Sequence, residues 1–229
     1  MEGEGLFPLE LQPAVERVRV LFDVAPTWVP VTYSNEGLMP WHGGFMDPSK
    51  GIQLREAFRT KERYLGLYSR EELVAHELVH AGRAHLNEPK FEEIFAYWVS
   101  GSLLRRWLGP MIERPWEVWA FLGAVMLPLF ADFVSIGLGW PLFMPLKVLP
   151  AVLMGLGVGR RVRRHRTLSR LLRKLEAISD ARGARAIAYR LTDEEIIRFS
   201  KREDLRPVLD GREDLRKYLR GVEGSVLGN

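Results

Sequence analysis

The chain has no cysteine among its 229 residues. Disulfides and cysteine-ligated metals are therefore excluded, and a reducing compartment is allowed. The opening Met1-Glu-Gly-Glu-Gly-Leu6 lacks the basic-then-apolar pattern of a secretory signal. Zinc-finger, RNA-recognition and glycine-rich phosphate-loop signatures are also missing. The formal net charge of +4 and pI near 9.5 are thus not read as a nucleic-acid footprint. Between residues 116 and 158 charge itself is scarce, with only Glu117, Asp132 and Lys147 interrupting apolar sequence. Histidine is rare too, at five residues.

Two of those five lie in His76-Glu77-Leu78-Val79-His80, an H-E-x-x-H motif. On a helix the two imidazoles stand one turn apart, about 40° from each other around the axis, where both can bind one zinc ion. Glu77 then lies close enough to handle a proton of water activated there. The helix is predicted on independent grounds. Ser69 and Glu72 have capping-box spacing, Glu71 and Glu72 suit the positive end of the dipole, and no proline or glycine intervenes before Gly82. Apolar neighbours (Val74, Ala75, Leu78, Val79 and Ala81) place the imidazoles near a core rather than on a charged surface.

Upstream, residues 13–23 have helical apolar spacing. Residues 27–33 are β-prone, but Pro30 makes them an edge strand. Residues 41–46 and 51–55 read as short strands separated by the turn-forming Asp47-Pro-Ser-Lys-Gly51. His42, between Pro-Trp and Gly-Gly, reads as a loop histidine. Strand 51–55 is a candidate to pair with an extended substrate. Downstream, a second helix is expected over residues 91–101 and on towards Arg105. Phe91, Ile94, Phe95 and Trp98 form one stripe, and Glu93, Ala96 and Ser100 another. The small residues Ala96 and Ser100 allow close approach to a neighbouring helix, which points Glu93 at it.

The first motif together with Glu93-Ile-Phe-Ala96-Tyr97-Trp-Val-Ser100 resembles the H-E-x-x-H plus E-x-x-A-D-x-x-A pattern of gluzincin zinc metallopeptidases. The likeness is to the integral-membrane CAAX-type proteases and their bacterial relatives, with a spacing similar to a compact minigluzincin core. It covers residues 70–105. The resemblance implies zinc held by His76, His80 and Glu93, with Glu77 as the catalytic acid–base. Tyr97 stands where the family has an aspartate that orients a zinc-binding histidine. Glu92 and His85 are the rival third ligands. Tyr64, Tyr68 and Tyr97 are candidates for stabilising an oxyanion.

Segments 116–138 and 140–158 are each long enough to cross a bilayer as a helix. A turn at Gly137-Leu-Gly-Trp-Pro141 joins them. Arginines cluster outside both ends and none sits at the turn, which predicts a two-pass hairpin with both outer ends cytoplasmic. Asp132 and Lys147, opposite in sign, fall at similar depth in such a hairpin. Beyond the arginines, residues 167–179 form a basic amphipathic helix that either lies on an anionic membrane or packs on the protein. Thr192-Asp-Glu-Glu195 is a second capping box. No catalytic constellation is visible in this tail.

The expected fold is α+β. A small zincin-like domain (residues 1–110) holds a short sheet, the motif helix and the Glu93 helix. A transmembrane helical hairpin (111–160) and a helical cytoplasmic tail (161–229) follow. The expected function is zinc-dependent hydrolysis of peptide or protein substrates by a membrane-anchored enzyme with its active site on the cytoplasmic side. The alternative is a non-catalytic membrane scaffold or regulator with a structural or vestigial zinc site.

Overall fold

A computed structural model describes residues 8–40, 42–64, 68–108, 115–138 and 147–219. The protein is mostly helical, with a small three-stranded sheet. Its contacts divide it into two compact units, one of residues 1–106 with 167–229 and one of residues 107–166. In the first unit the chain from Thr167 onward shares a single core with the N-terminal part.

Helix α1 (Gln12–Phe22) buries Ala14, Val15, Val18 and Phe22, the stripe expected from its spacing. The sheet follows as β1 (Val31–Tyr33), β2 (Gly44–Asp47) and β3 (Gly51–Leu54), in the order β1-β3-β2. Pro30 immediately precedes β1, which is an outer strand as its sequence predicts. The β2–β3 turn is held by the Asp47 carboxylate, which accepts the Ser49 backbone N–H at 2.8 Å. Gly51 closes that turn at φ +90, where a side chain would also run into the Pro30 carbonyl. A second, two-stranded sheet pairs β4 (Arg63–Tyr64) with β5 (Tyr68–Ser69).

Helix α2 (Arg70–Arg83) carries the motif. The Ser69 hydroxyl caps it, accepting the Glu72 N–H at 3.1 Å. The box is only half formed, because the Glu72 carboxylate turns away to accept from Ser100 Oγ at 2.5 Å and Arg105 at 3.0 Å. Helix α3 (Pro89–Trp98) is shorter than its sequence suggests. It stops before Ser100, whose hydroxyl accepts the Ser102 N–H, and the chain restarts as α4 (Leu103–Leu108).

In the second unit α5 (Pro115–Leu138) contains the stretch Trp119–Ile136, long and apolar enough to cross a membrane and only 17% buried. It is the one such helix among the described residues. The turn at 139–141 and the first part of the expected second span, 140–146, lie outside them. Helix α6 runs unbroken from Leu149 to Ile178, so the predicted amphipathic helix at 167–179 is not a separate element. Glycines 155, 157 and 159 weaken the helix without breaking it. Leu168, Leu171 and Leu175 are buried in the protein core, which settles where that apolar face packs.

Helices α7 (Ala181–Arg190), α8 (Asp193–Lys201), α9 (Arg206–Asp210) and α10 (Glu213–Arg216) complete the first unit. The Thr192/Glu195 capping box of α8 forms in full. Helix ends here are satisfied across long sequence distances. Arg190 donates to the Phe22 and Asp23 carbonyls at the end of α1, at 2.8 and 2.9 Å. Arg83, fully buried, donates to the Tyr189 and Leu191 carbonyls at the end of α7. Its guanidinium also lies over the Phe95 ring, 4.9 Å from the centroid. The Tyr189 hydroxyl in turn donates to the Val79 carbonyl at 2.7 Å, over the space that Gly82 leaves by having no side chain.

Replacing Arg83 by leucine keeps apolar bulk but strands two buried carbonyls and removes the cation from between its rings. The expected loss is about 3 kcal/mol or more of unfolding free energy. A thermal or denaturant midpoint unchanged from wild type would contradict this account.

Candidate metal centre

The site forms where α2 meets α3. Helical spacing sets His76 and His80 on the face of α2 turned towards α3, and their Nε2 atoms lie 3.2 Å apart. Glu93 approaches from α3, with Oε2 3.8 Å from His76 Nε2 and Oε1 3.5 Å from His80 Nε2. Two ligands on a tetrahedral ion at zinc-like bond lengths stand about 3.3 Å apart. The imidazole pair matches that value, and the Glu93 carboxylate stands slightly further off, with a different oxygen nearest each ring. Among the described residues, His76, His80 and Glu93 form a group of side chains that could hold a metal ion.

The surroundings fix the imidazoles. Glu92 Oε1 lies 2.6 Å from His80 Nδ1. A proton on Nδ1 donated to that carboxylate turns Nε2 towards His76 and Glu93, where its lone pair is available once the ring is neutral. His76 is hydrogen-bonded to the backbone of Ala96 and packs edge-to-face on Tyr97, with ring centroids 4.8 Å apart. Ala96 is fully buried, and its small size lets α3 come this near. Tyr97 therefore supports the His76 ring where the resemblance led one to look for a carboxylate, and the carboxylate on an imidazole comes from Glu92 instead.

Glu77 is buried beside the cluster. Burial raises its carboxyl to about 7, reinforced by Glu93 and Glu92 and opposed by His80 and by a hydrogen bond from the backbone of Met46. His76 is depressed to about 3, mainly by burial and then by the charge of His80. For His80, burial works downward, but the Glu92 hydrogen bond and the Glu77, Glu93 and Glu92 charges outweigh it and raise the group to about 9. The pocket favours positive charge at the His80 side.

The sequence placed His76, Glu77, His80 and Glu93, and the fold brings all four together. Glu92 is present as well, on the outer nitrogen of His80 rather than among the facing donors. His85 is exposed in a short 3-10 turn and stands apart from the group. The Tyr64 hydroxyl is occupied by the Pro40 carbonyl at 2.7 Å. Tyr68 belongs to β5. His42 lies in the loop before β2, where its carbonyl accepts from Arg55 Nε. Sequence reasoning missed the orienting role of Glu92, although an acidic pair opening the second helix was visible.

No protein-family model, curated protein or solved structure matches this chain.

Removing Glu92 should loosen His80 without removing a ligand. Glu92→Ala is expected to weaken metal affinity about 10- to 100-fold, and Glu92→Gln less, since an amide oxygen still accepts from Nδ1. Glu93→Gln should cost more than either. Chelator competition measures all three, and wild-type affinity in Glu92→Ala would remove it from the site.

Proposed function

We propose that the protein is a membrane-anchored, zinc-dependent peptide hydrolase of gluzincin-like plan. The observation that carries this reading is the pair of imidazole nitrogens at ligand spacing with the Glu93 carboxylate facing both, and a buried carboxyl adjoining them on the same helix as the imidazoles. His76, His80 and Glu93 would hold the ion. When bound, it supplies Lewis acidity towards a scissile carbonyl and towards water.

The chain's own residues supply the rest. Glu77, raised to about 7, is suited both to accept a proton from water and to return it to a leaving amine. Glu92 holds the His80 ring in the ligating tautomer. The sheet offers a place for an extended peptide, but not the strand expected from sequence. Strand β3 is central, flanked by β1 and β2, so residues 51–55 have no free edge. Strand β2 is an outer strand. The Arg55 N–H bonds the Gly43 carbonyl, and this phase turns the backbone of Gly44 and Met46 away from β3. Substrate pairing is accordingly assigned to β2 next to Glu77, through Gly44 and the Met46 carbonyl, since the Met46 N–H is given to Glu77.

The same proposal takes α5 and the start of α6 as a two-pass hairpin with the catalytic unit in the cytoplasm. It draws support from the exposed apolar side chains of Trp119–Ile136 and from two ion pairs. These are Glu117 with Arg160 at 3.1 Å and Asp132 with Lys147 at 2.9 Å.

Two experiments test the reading. Purified protein should carry about one zinc per chain, and His76→Ala or His80→Ala should abolish it. Glu77→Gln should keep the metal and lose hydrolysis of a peptide library. If that variant cleaves as well as wild type, the catalytic assignment fails. If neither protein cleaves although both hold zinc, the site is structural. For topology, reporters at the N-terminus and after Arg166 should read cytoplasmic and one at Gly139 external. Both outer reporters on the external face would reverse the orientation.

A further inference from the structure

The helix that carries Glu92 and Glu93 is not capped by its own sequence. Its N-cap residue, Glu88, makes no side-chain bond to the helix it opens. Pro89 at the first position has no N–H to satisfy. The next two amides, of Lys90 and Phe91, donate to the two carboxylate oxygens of Asp193, at 2.7 and 3.2 Å. Asp193 is 103 residues further along and is the first residue of α8. The exchange is mutual, because the Glu88 carboxylate accepts the Asp193 N–H at 3.3 Å. Two helices far apart in the chain thus cap each other. Asp193 is 4% exposed, so water does not substitute for it.

This arrangement bears directly on the candidate metal centre. Glu92 and Glu93 immediately follow the two capped amides, within the same first turns of α3. An uncapped N-terminus frays from its first turn inward. Fraying here would release the carboxylate that orients His80 and the one that faces both Nε2 atoms. Helix α2 is held apart from this cap, by Ser69 at its start and, at its end, by Arg83, which bonds the Tyr189 and Leu191 carbonyls of the tail. The start of α3 hangs on Asp193, a further residue of the tail.

We propose that Asp193 is a positioning residue of the metal centre, and that docking of the C-terminal helices and binding of the metal are thermodynamically coupled through the Asp193–α3 cap. The inference rests on the metal reading above. It assigns the tail a part in building the site. Because coupling is reciprocal, metal bound at His76, His80 and Glu93 must tighten α8 by the same factor by which the capped tail tightens the metal.

The test uses full-length protein and zinc affinity by chelator competition. Asp193→Ala should weaken zinc binding about tenfold or more, the range found when groups supporting metal ligands are removed. Asp193→Asn and Asp193→Ser, both good caps, should restore most of it. The matched control is Leu209→Ala, which removes buried apolar surface from α9 while leaving the cap in place. It should lower the thermal midpoint but leave zinc affinity within about twofold of wild type, a ratio well below one pK-scale tenfold step. The second readout is amide hydrogen exchange. Zinc should slow exchange across α8 in wild type and in Leu209→Ala, and should not in Asp193→Ala.

Equal losses of affinity in Asp193→Ala and Leu209→Ala would overturn the proposal, reducing the cap to ordinary stability. So would wild-type affinity in Asp193→Ala, or exchange in α8 indifferent to zinc in wild type. Should Asp193→Ala not fold, Asp193→Asn decides with the exchange readout. Zinc must protect α8 there too, and its failure to do so counts against the coupling. A wild type that binds no zinc overturns the metal reading itself, and this inference falls with it. Intact zinc binding in wild type with an indifferent Asp193 overturns the inference alone.

Discussion

The distance between α2 and α3 governs the candidate site, because two of its donors sit on one helix and the third on the other. That distance is set from three directions. Ala96, fully buried, presents little more than backbone to His76. Arg83 fastens the far end of α2 to the end of α7 and lies over the ring of Phe95 from α3. Asp193 fixes the start of α3. A buried cation is costly, and here it is offset by two carbonyls that α7 leaves unsatisfied and by the aromatic faces around it. The same residues that solve a helix-end problem for α7 and α3 thereby keep the Glu93 carboxylate facing both imidazoles.

Local signals carried most of what the sequence could reveal. Apolar period and caps located α1, α2 and the start of α8, and Pro30 marked an outer strand, because each depends on neighbours within a few residues. The four residues of the proposed centre were legible for the same reason. His76 and His80 are one turn apart, and Glu93 shares a face with Ala96. What could not be read was tertiary. Asp193 looks like an ordinary second residue of a capping box, and only the fold shows its side chain leaving its own helix for another. Arg83 looks like a favourable basic residue at a helix end, yet it is fully buried and caps a different helix. Glu72 has capping-box spacing, but Ser100 and Arg105 outcompete the local partner. The strand order β1-β3-β2 is equally non-local, and it moves the free edge from residues 51–55 to 44–47.

The electrostatics of the cluster follow from that geometry. Three carboxylates converge on two imidazoles in a largely buried space, and burial penalises charge of either sign. The net effect is uneven. His76, buried and beside a cationic neighbour, is held neutral against the opposing effect of its Ala96 backbone partner, while His80, with a carboxylate on its outer nitrogen, is held charged. A divalent cation held as proposed would meet the Glu93 carboxylate and would have to displace the His80 proton. Glu77 stands one residue along from His76 and accepts from Met46, outside the facing donors.

The second unit has the opposite logic of packing. On α5 the buried residues among those described are Ala124, Pro128 and Ala131, and the two alanines, at 3% and 6% exposure, recur at seven-residue spacing on one face. The large apolar side chains lie outside: Trp119, Leu122, Met126, Phe130, Phe133 and Ile136 follow one another at intervals of three and four. A helix in a water-soluble core buries its large apolar residues and shows polar ones to solvent. Here small residues permit close approach within the unit while bulk faces out, the pattern that suits a lipid surround, where apolar burial no longer drives helix association. The charges fit the same pattern. Glu117 and Asp132, separated by about 22 Å of helix rise, are each met by a cation, Arg160 and Lys147. An unpaired Asp132 in the middle of an apolar stretch would be costly in a bilayer, whereas its pairing with Lys147 removes much of that cost. The outward bulk and the paired charges are the observations on which the proposed membrane reading draws.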